Sequence, residues 1–109
     1  MLEARLYLLQ RASAMLLAPL VLVHLGLILY AVEGGLSAGE ILGRTKGNLF
    51  WAGFYGLFVL AASLHAPIGL RNILREWTRW RGRSLDLATG GFALLLLALG
   101  LRAIWAVTA

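Results

Sequence analysis

Three long apolar stretches leave this chain little choice of solvent. The first runs from Ala12 to Val32, between Arg11 and Glu33. The second runs from Gly47 to Leu70, between Lys46 and Arg71. The third runs from Leu87 to Ala109, after Asp86, and is interrupted by Arg102. Each is about 20 residues or slightly more, the length a helix needs to cross roughly 30 Å of hydrocarbon. In lipid only helices and closed barrels satisfy every backbone N–H and C=O, and the chain lacks the period-2 alternation of barrel strands. The stretches predict an all-α integral membrane three-helix bundle, with spans over 12–32, 47–70 and 87–109 of a single domain, 1–109. Composition agrees. Of 109 residues 61% are hydrophobic and 14% charged, and a soluble domain this small buries too little surface to hide that much apolar area. The absence of cysteine removes disulfides, Cys-ligated zinc and Cys-held iron–sulfur clusters from this chain. The first stretch exceeds the roughly 7–15 residues of a signal-peptide core and ends in no A-x-A site, so it is read as a permanent span.

The basic residues set the orientation. Arg5 and Arg11 precede the first span, and Arg71, Arg75, Arg79, Arg81 and Arg83 lie between the second and third. Arg44 and Lys46 share the first loop with Glu33 and Glu40. The positive-inside rule then places the N-terminus and the second loop in the cytoplasm and the C-terminus in the periplasm. The net charge of +5 is topology, since the arginines flank spans, and no nucleic-acid partner is expected. In the first loop, Ser37-Ala38-Gly39-Glu40 has the form of a capping box. It predicts a short periplasmic helix through Ile41 and Leu42, bracketed by Gly34-Gly35 and Gly43. The segment from Arg71 to Arg83 reads as a cytoplasmic interfacial extension of the second helix. Arg71, Arg75 and Arg79 would share one face, solvated or turned to lipid headgroups, and Ile73, Trp77 and Trp80 another.

Polar side chains inside a bilayer are costly, so each is a candidate for function. The spans contain no Asp or Glu, which argues against a proton-coupled exporter. They contain both histidines of the chain, His24 and His65, along with Ser13, Asn48, Tyr55, Ser63 and Thr89. Neutral imidazole is a good ligand for haem iron. His65 has Ala61 and Gly69 one turn away on either side, small enough to admit a flat macrocycle. Pro67 lacks an N–H and leaves the carbonyl of Ser63 without its helix partner. His24 lies on one seam with Ser13. It is thirteen residues from Arg11, about 20 Å from the cytoplasmic boundary, whereas His65 is six residues, about 9 Å, from Arg71 on that side. That gap argues against both imidazoles gripping one haem within this chain. The plain alternative is that both histidines only hydrogen-bond within the bundle.

Two segments resemble the cytochrome b membrane-anchor subunit of succinate dehydrogenases and fumarate reductases. Gln10-Arg11-Ala12-Ser13-Ala14 is similar to that family's H-R-x-S-G, and His65-Ala66-Pro67-Ile68-Gly69-Leu70-Arg71 to its H-x-x-x-G-[IL]-R, with Glu76 as the acidic residue five positions later. The resemblance implies that His65 is an axial ligand of haem b and that Arg71 lies near the haem propionates. It implies that Arg11 and Ser13 contact the headgroup of a quinone, ubiquinone or menaquinone. Flavoprotein and iron–sulfur subunits would dock on the cytoplasmic face and pass electrons through this chain, which has no catalytic residues of its own. Gln10 departs from the family's His, and Ala14 from its Gly. His24 is similar to the first-helix ligand of the family's two-haem branch, and would be the ligand of a second haem. Three helices cannot supply four ligands, so a second membrane-anchor chain or a homodimer is implied. With nine of ten basic residues being arginine, as in GC-rich bacterial genomes, the expected location is a bacterial inner membrane. Two other readings stand beside this one: an anchor for a related flavin and iron–sulfur dehydrogenase acting on a different substrate, and a haem-free structural anchor.

Overall fold

The computed structural model describes residues 2–109. Four helices follow one another: α1 over Leu2–Gly34, α2 over Ala38–Thr45, α3 over Leu49–Trp77 and α4 over Arg83–Thr108. The three long ones are apolar enough to cross a membrane. The bundle is elongated, 48 × 23 × 23 Å, and its long axis matches the roughly 50 Å of α1 at 1.5 Å per residue. Few apolar side chains are hidden: Ala61, Ile68 and Leu85 are the buried ones, while leucines and valines along every span face outward. Such a surface is solvated by lipid, and the helices associate by close packing and polar contacts.

The long helices lie side by side with α3 in the middle. It packs against both α1 and α4, which make at most marginal contact with each other. On α1 the less exposed positions include Leu6, Gln10, Ser13, Leu17, Leu20, His24 and Leu27. Alternating steps of four and three give the 3.5-residue seam of a slightly tilted antiparallel pair. The α3–α4 contact is closer. A Cβ placed on Gly100 would meet Val59 Cγ1 at 2.5 Å and Cγ2 at 2.8 Å, so only glycine permits this approach.

Local chemistry fixes the loops. Ser37 Oγ accepts from the Glu40 N–H at 3.2 Å, and its hydroxyl donates to the Glu40 carboxylate at 2.9 Å. This caps α2 where the capping box expects it. The helix does not stop at Gly43, however; it runs on to Thr45 and turns at Gly47, whose φ is +70°. The Thr45 hydroxyl donates to the Val107 carbonyl at 2.6 Å and the Gly47 N–H to the Thr108 carbonyl at 2.7 Å, tying α2 to the end of α4. The extension of α3 is also shorter than the amphipathic pattern predicts. It ends at Trp77 because Thr78 is extended and its hydroxyl accepts the Trp80 N–H at 3.1 Å. Gly82, with φ +89°, completes the reversal. Arg79 and Trp80 therefore leave the helical faces on which Arg71, Arg75, Ile73 and Trp77 lie.

Substituting Gly100 with Ala is expected to lower the detergent-solubilised complex's melting temperature, by an overpacking cost of about 1–3 kcal/mol. Val59→Ala in the same chain should recover part of that loss, because it removes the two methyl groups in the way. Thermal denaturation of the single and double variants checks both expectations.

Candidate functional site

Arg71 stands where α3 leaves its apolar stretch, directly after Leu70, and its side chain is only 9% exposed. The guanidinium is held from two sides. Nε donates to Asp86 Oδ1 at 2.8 Å, from the first turn of α4. Nη1 and Nη2 donate to Glu3 Oε2 and Oε1 at 3.2 and 2.8 Å, from the first turn of α1. Arg75 Nη1 reaches Glu3 Oε2 at 2.6 Å. The Arg71 hydrogen bond, against an opposing desolvation and helped by the charges of both arginines and the Arg75 hydrogen bond, holds the Glu3 carboxyl below its usual pKa. Arg71 is thus neither solvated nor turned to headgroups, as the amphipathic pattern of the loop has it. It is buried because each neighbouring helix begins with a carboxylate at its level. Glu3 and Asp86 carry no motif. Their signal is positional: each is an acid just outside an apolar stretch, on the side where the arginines gather. Glu76, the acidic residue of the matched motif, is exposed.

Further along the α1–α3 seam, Ser13 meets His65. The Ser13 hydroxyl donates to the Gln10 carbonyl at 3.0 Å, and its oxygen lies 3.4 Å from His65 Nδ1. With its proton spent on Gln10, Ser13 Oγ is an acceptor for an Nδ1–H, a long but buried contact. That tautomer leaves a lone pair on Nε2. Nε2 has no hydrogen-bond partner among the described residues, and it is not a buried orphan. An oriented imidazole with a free, accessible Nε2 fits an axial ligand of haem iron. No group of three His, Cys, Asp or Glu among the described residues could hold a bare metal ion. The room left by Gly69 is taken by the Gln10 amide, whose Nε2 would lie 3.2 Å from a Cβ there. Gln10 Oε1 is buried without a partner, so this amide is weakly anchored and is the group that must move if a macrocycle lies against α3. Ala61 is packed inside the bundle. Arg11 is exposed beside Gln10.

His24 lies elsewhere. Its ring is edge-on to Tyr55 and Phe58, with centroids 5.8 and 5.3 Å away. It sits eleven residues beyond Ser13 on the same helix, about 16 Å along the axis, and so His24 and His65 cannot grip one iron in a single chain. His24 Nδ1 is buried without a partner, and the ring lines a cavity of about 530 Å³ at the far end of the bundle. A smaller cavity of about 250 Å³ lies between α1, α3 and α4, beside Arg71 and Asp86. It holds the Ser63 hydroxyl, buried and unpartnered, next to the carbonyl that Pro67 frees.

With this geometry in view, the chain compares with known proteins as follows. The family described as succinate dehydrogenase/fumarate reductase transmembrane subunit matches residues 2–107. No curated protein and no solved structure matches the chain.

The Glu3–Arg71 contact has a defined pH dependence. Because the folded pKa of Glu3 is depressed, its contribution to stability is complete above the unfolded value, about 4.3, and is lost as pH falls through the lower folded value. Glu3→Gln should therefore melt below wild type at neutral pH, and the difference should shrink toward zero in strong acid. Melting curves of the two proteins across that range measure it.

Proposed function

The chain belongs to the family of succinate dehydrogenase and fumarate reductase transmembrane subunits, and from that premise we propose that it binds haem b through His65 and helps form the site where a membrane quinone exchanges electrons with the iron–sulfur subunit. Membership makes it a multi-pass membrane protein that associates with catalytic subunits. The observation that carries the finer reading is the Ser13–His65 contact across α1 and α3. The imidazole at the family's motif position is oriented through Nδ1 and free at Nε2.

Haem bound there would supply a one-electron relay between the iron–sulfur subunit and the quinone. His65 Nε2 would hold the iron, while Ser13 keeps the proton on Nδ1 and makes the ligand more basic. Arg71 uses three of its five N–H groups on Glu3 and Asp86. The remaining two can meet an anionic propionate, and the bound carboxylates keep the guanidinium in place for it. Exposed Arg11 would donate to a quinone oxygen, and Ser13 could join it by giving up its bond to Gln10. A second residue to hold the haem would come from a second anchor chain or a second copy of this one, since His24 is too distant. His24 remains the candidate for a second haem only with a partner's ligand at its own depth.

Orientation follows the same pairings. The Glu3–Arg71 contact puts the N-terminus at the end of the bundle that carries Arg5, Arg11, Arg71, Arg75, Arg79, Arg81 and Arg83. That end would face the cytoplasm of a bacterium, by the positive-inside rule, and receive the flavoprotein and iron–sulfur subunits. A haem-free anchor is the second reading. It is favoured by one observation: the Gln10 amide already occupies the space above Gly69.

A reduced-minus-oxidised visible spectrum of the purified complex separates the two. Wild type should give a b-type α-band, and His65→Ala should lose it while the subunits stay assembled. Ser13→Ala should keep the band but hold haem about tenfold less tightly. An undiminished band in assembled His65→Ala would exclude His65 as the ligand, and an assembled wild type without any α-band would leave the haem-free anchor.

A further inference from the structure

The end of the bundle far from Arg71 has a site of its own. The cavity of about 530 Å³ opens between the last turns of α1, the short helix α2 and the start of α3. Its walls are apolar and aromatic, from Ile28 and Ala31 on α1, Ile41 on α2 and Trp51 on α3, and His24 lines its inner end. Between Ala31 and His24 it follows α1 for about 10 Å toward the middle of the bilayer. Arg44 stands at the other end. Its Nη2 donates to the Gly35 carbonyl at 2.8 Å, and its guanidinium lies over the Tyr30 ring, 5.5 Å from the centroid. Among the described residues it forms no ion pair. The nearby Glu40 is instead engaged by Ser37.

We propose that this cavity is a binding site for one anionic phospholipid, with its phosphate on Arg44 and an acyl chain in the groove that runs down to His24. The chemistry matches at both ends. A guanidinium fixed by a carbonyl and a ring keeps N–H groups free for phosphate oxygens, and no carboxylate among the described residues pairs with it. The groove beneath is mostly hydrocarbon and ring faces, which suit an alkyl chain, with Thr45, Tyr55 and His24 as its polar members. The two meet at the level where the helices end, where headgroups lie and where Trp51 is placed as an interfacial residue. Bound there, the lipid would brace α2 against the bundle. The site is independent of His65 and of a haem held there.

The test uses the full complex in nanodiscs of equal parts phosphatidylcholine and phosphatidylglycerol, followed by native mass spectrometry of the lipids retained. Wild type should retain phosphatidylglycerol over phosphatidylcholine by about tenfold, the scale of one charge-assisted contact. Arg44→Gln should bring the ratio close to one. Ala31→Trp, which fills the groove and keeps the guanidinium, should do the same. Equal retention in wild type, or an unchanged preference in Arg44→Gln, would mean annular lipid and would overturn the proposal. It would equally fall if excess inorganic phosphate removed the preference while Ala31→Trp kept it, since Arg44 would then read free phosphate alone. Retention of no lipid by wild type would give the cavity to another occupant, a partner helix or a haem on His24, and would overturn it too.

Discussion

A guanidinium at the edge of the hydrocarbon layer is expensive unless it is paired, and Arg71 is paired twice. Its side chain is nearly as hidden as any in the bundle, yet its partners Glu3 and Asp86 are 56% and 42% exposed. The pair therefore straddles the boundary between water and lipid: the carboxylates keep part of their hydration while the cation gives up most of its own. Such an arrangement costs less than a fully buried ion pair and holds more firmly than one in open water. Its architectural effect exceeds its energy. Helices α1 and α4 hardly touch, and Arg71 is the residue that bonds to both. Losing either acid would leave a partly buried cation short of a partner and one helix free at that end.

Helices α1 and α3 pair antiparallel, and this anchor closes the pair at its basic end. Their packing brings Gln10 onto Gly69, Ser13 onto His65 and His24 onto Tyr55. From Gln10 onward the steps nearly match, three and eleven residues along α1 against four and ten back along α3, whereas Glu3 meets Arg71 four to five positions off that register, across the length of the arginine side chain. A shift of one turn would part Ser13 from His65 and leave the Nδ1 proton facing a leucine. The histidine lies about 9 Å deeper in the bundle than the ion pairs at the basic end, six residues along α3 from Arg71. At the opposite end, where the arginines are fewer, α2 and α4 are fastened by backbone and hydroxyl bonds through Thr45 and Gly47. One end of the molecule is held by charge and the other by neutral hydrogen bonds.

Much of this is legible in the sequence, for a physical reason. Hydrocarbon tolerates only internally bonded backbone, so apolar length alone yields three helices and their number. The capping box at Ser37 is equally local and equally readable. The extents are not, because hydropathy marks where lipid begins, whereas a helix ends where its hydrogen bonds find other partners. Hence α1 begins at Leu2, well before Ala12, and α3 stops at Thr78 although the amphipathic pattern continues to Trp80. Motif spacing selects His65 and Ser13, but it does not show that they touch, because their contact depends on how α1 packs along α3. The fate of Arg71 is the clearest gap. Read along its own helix, it belongs to a face of solvated arginines; only the packing of two other helix starts makes it buried. The Gln10 amide over Gly69 is similar, since what fills a small residue's space is decided by the neighbouring helix.

Haem ligation by His65, held through Ser13, is what we propose for this chain. The most direct measurement is pulsed electron paramagnetic resonance of the oxidised complex, assembled from unlabelled partners and a His24→Leu form of this chain made with nitrogen-15 histidine. His65 is then its one labelled imidazole, since the chain has two histidines. If His65 holds the haem, the low-spin haem signal carries a nitrogen-15 hyperfine coupling. A low-spin signal that carries only nitrogen-14 couplings would contradict it, placing both axial ligands on other chains.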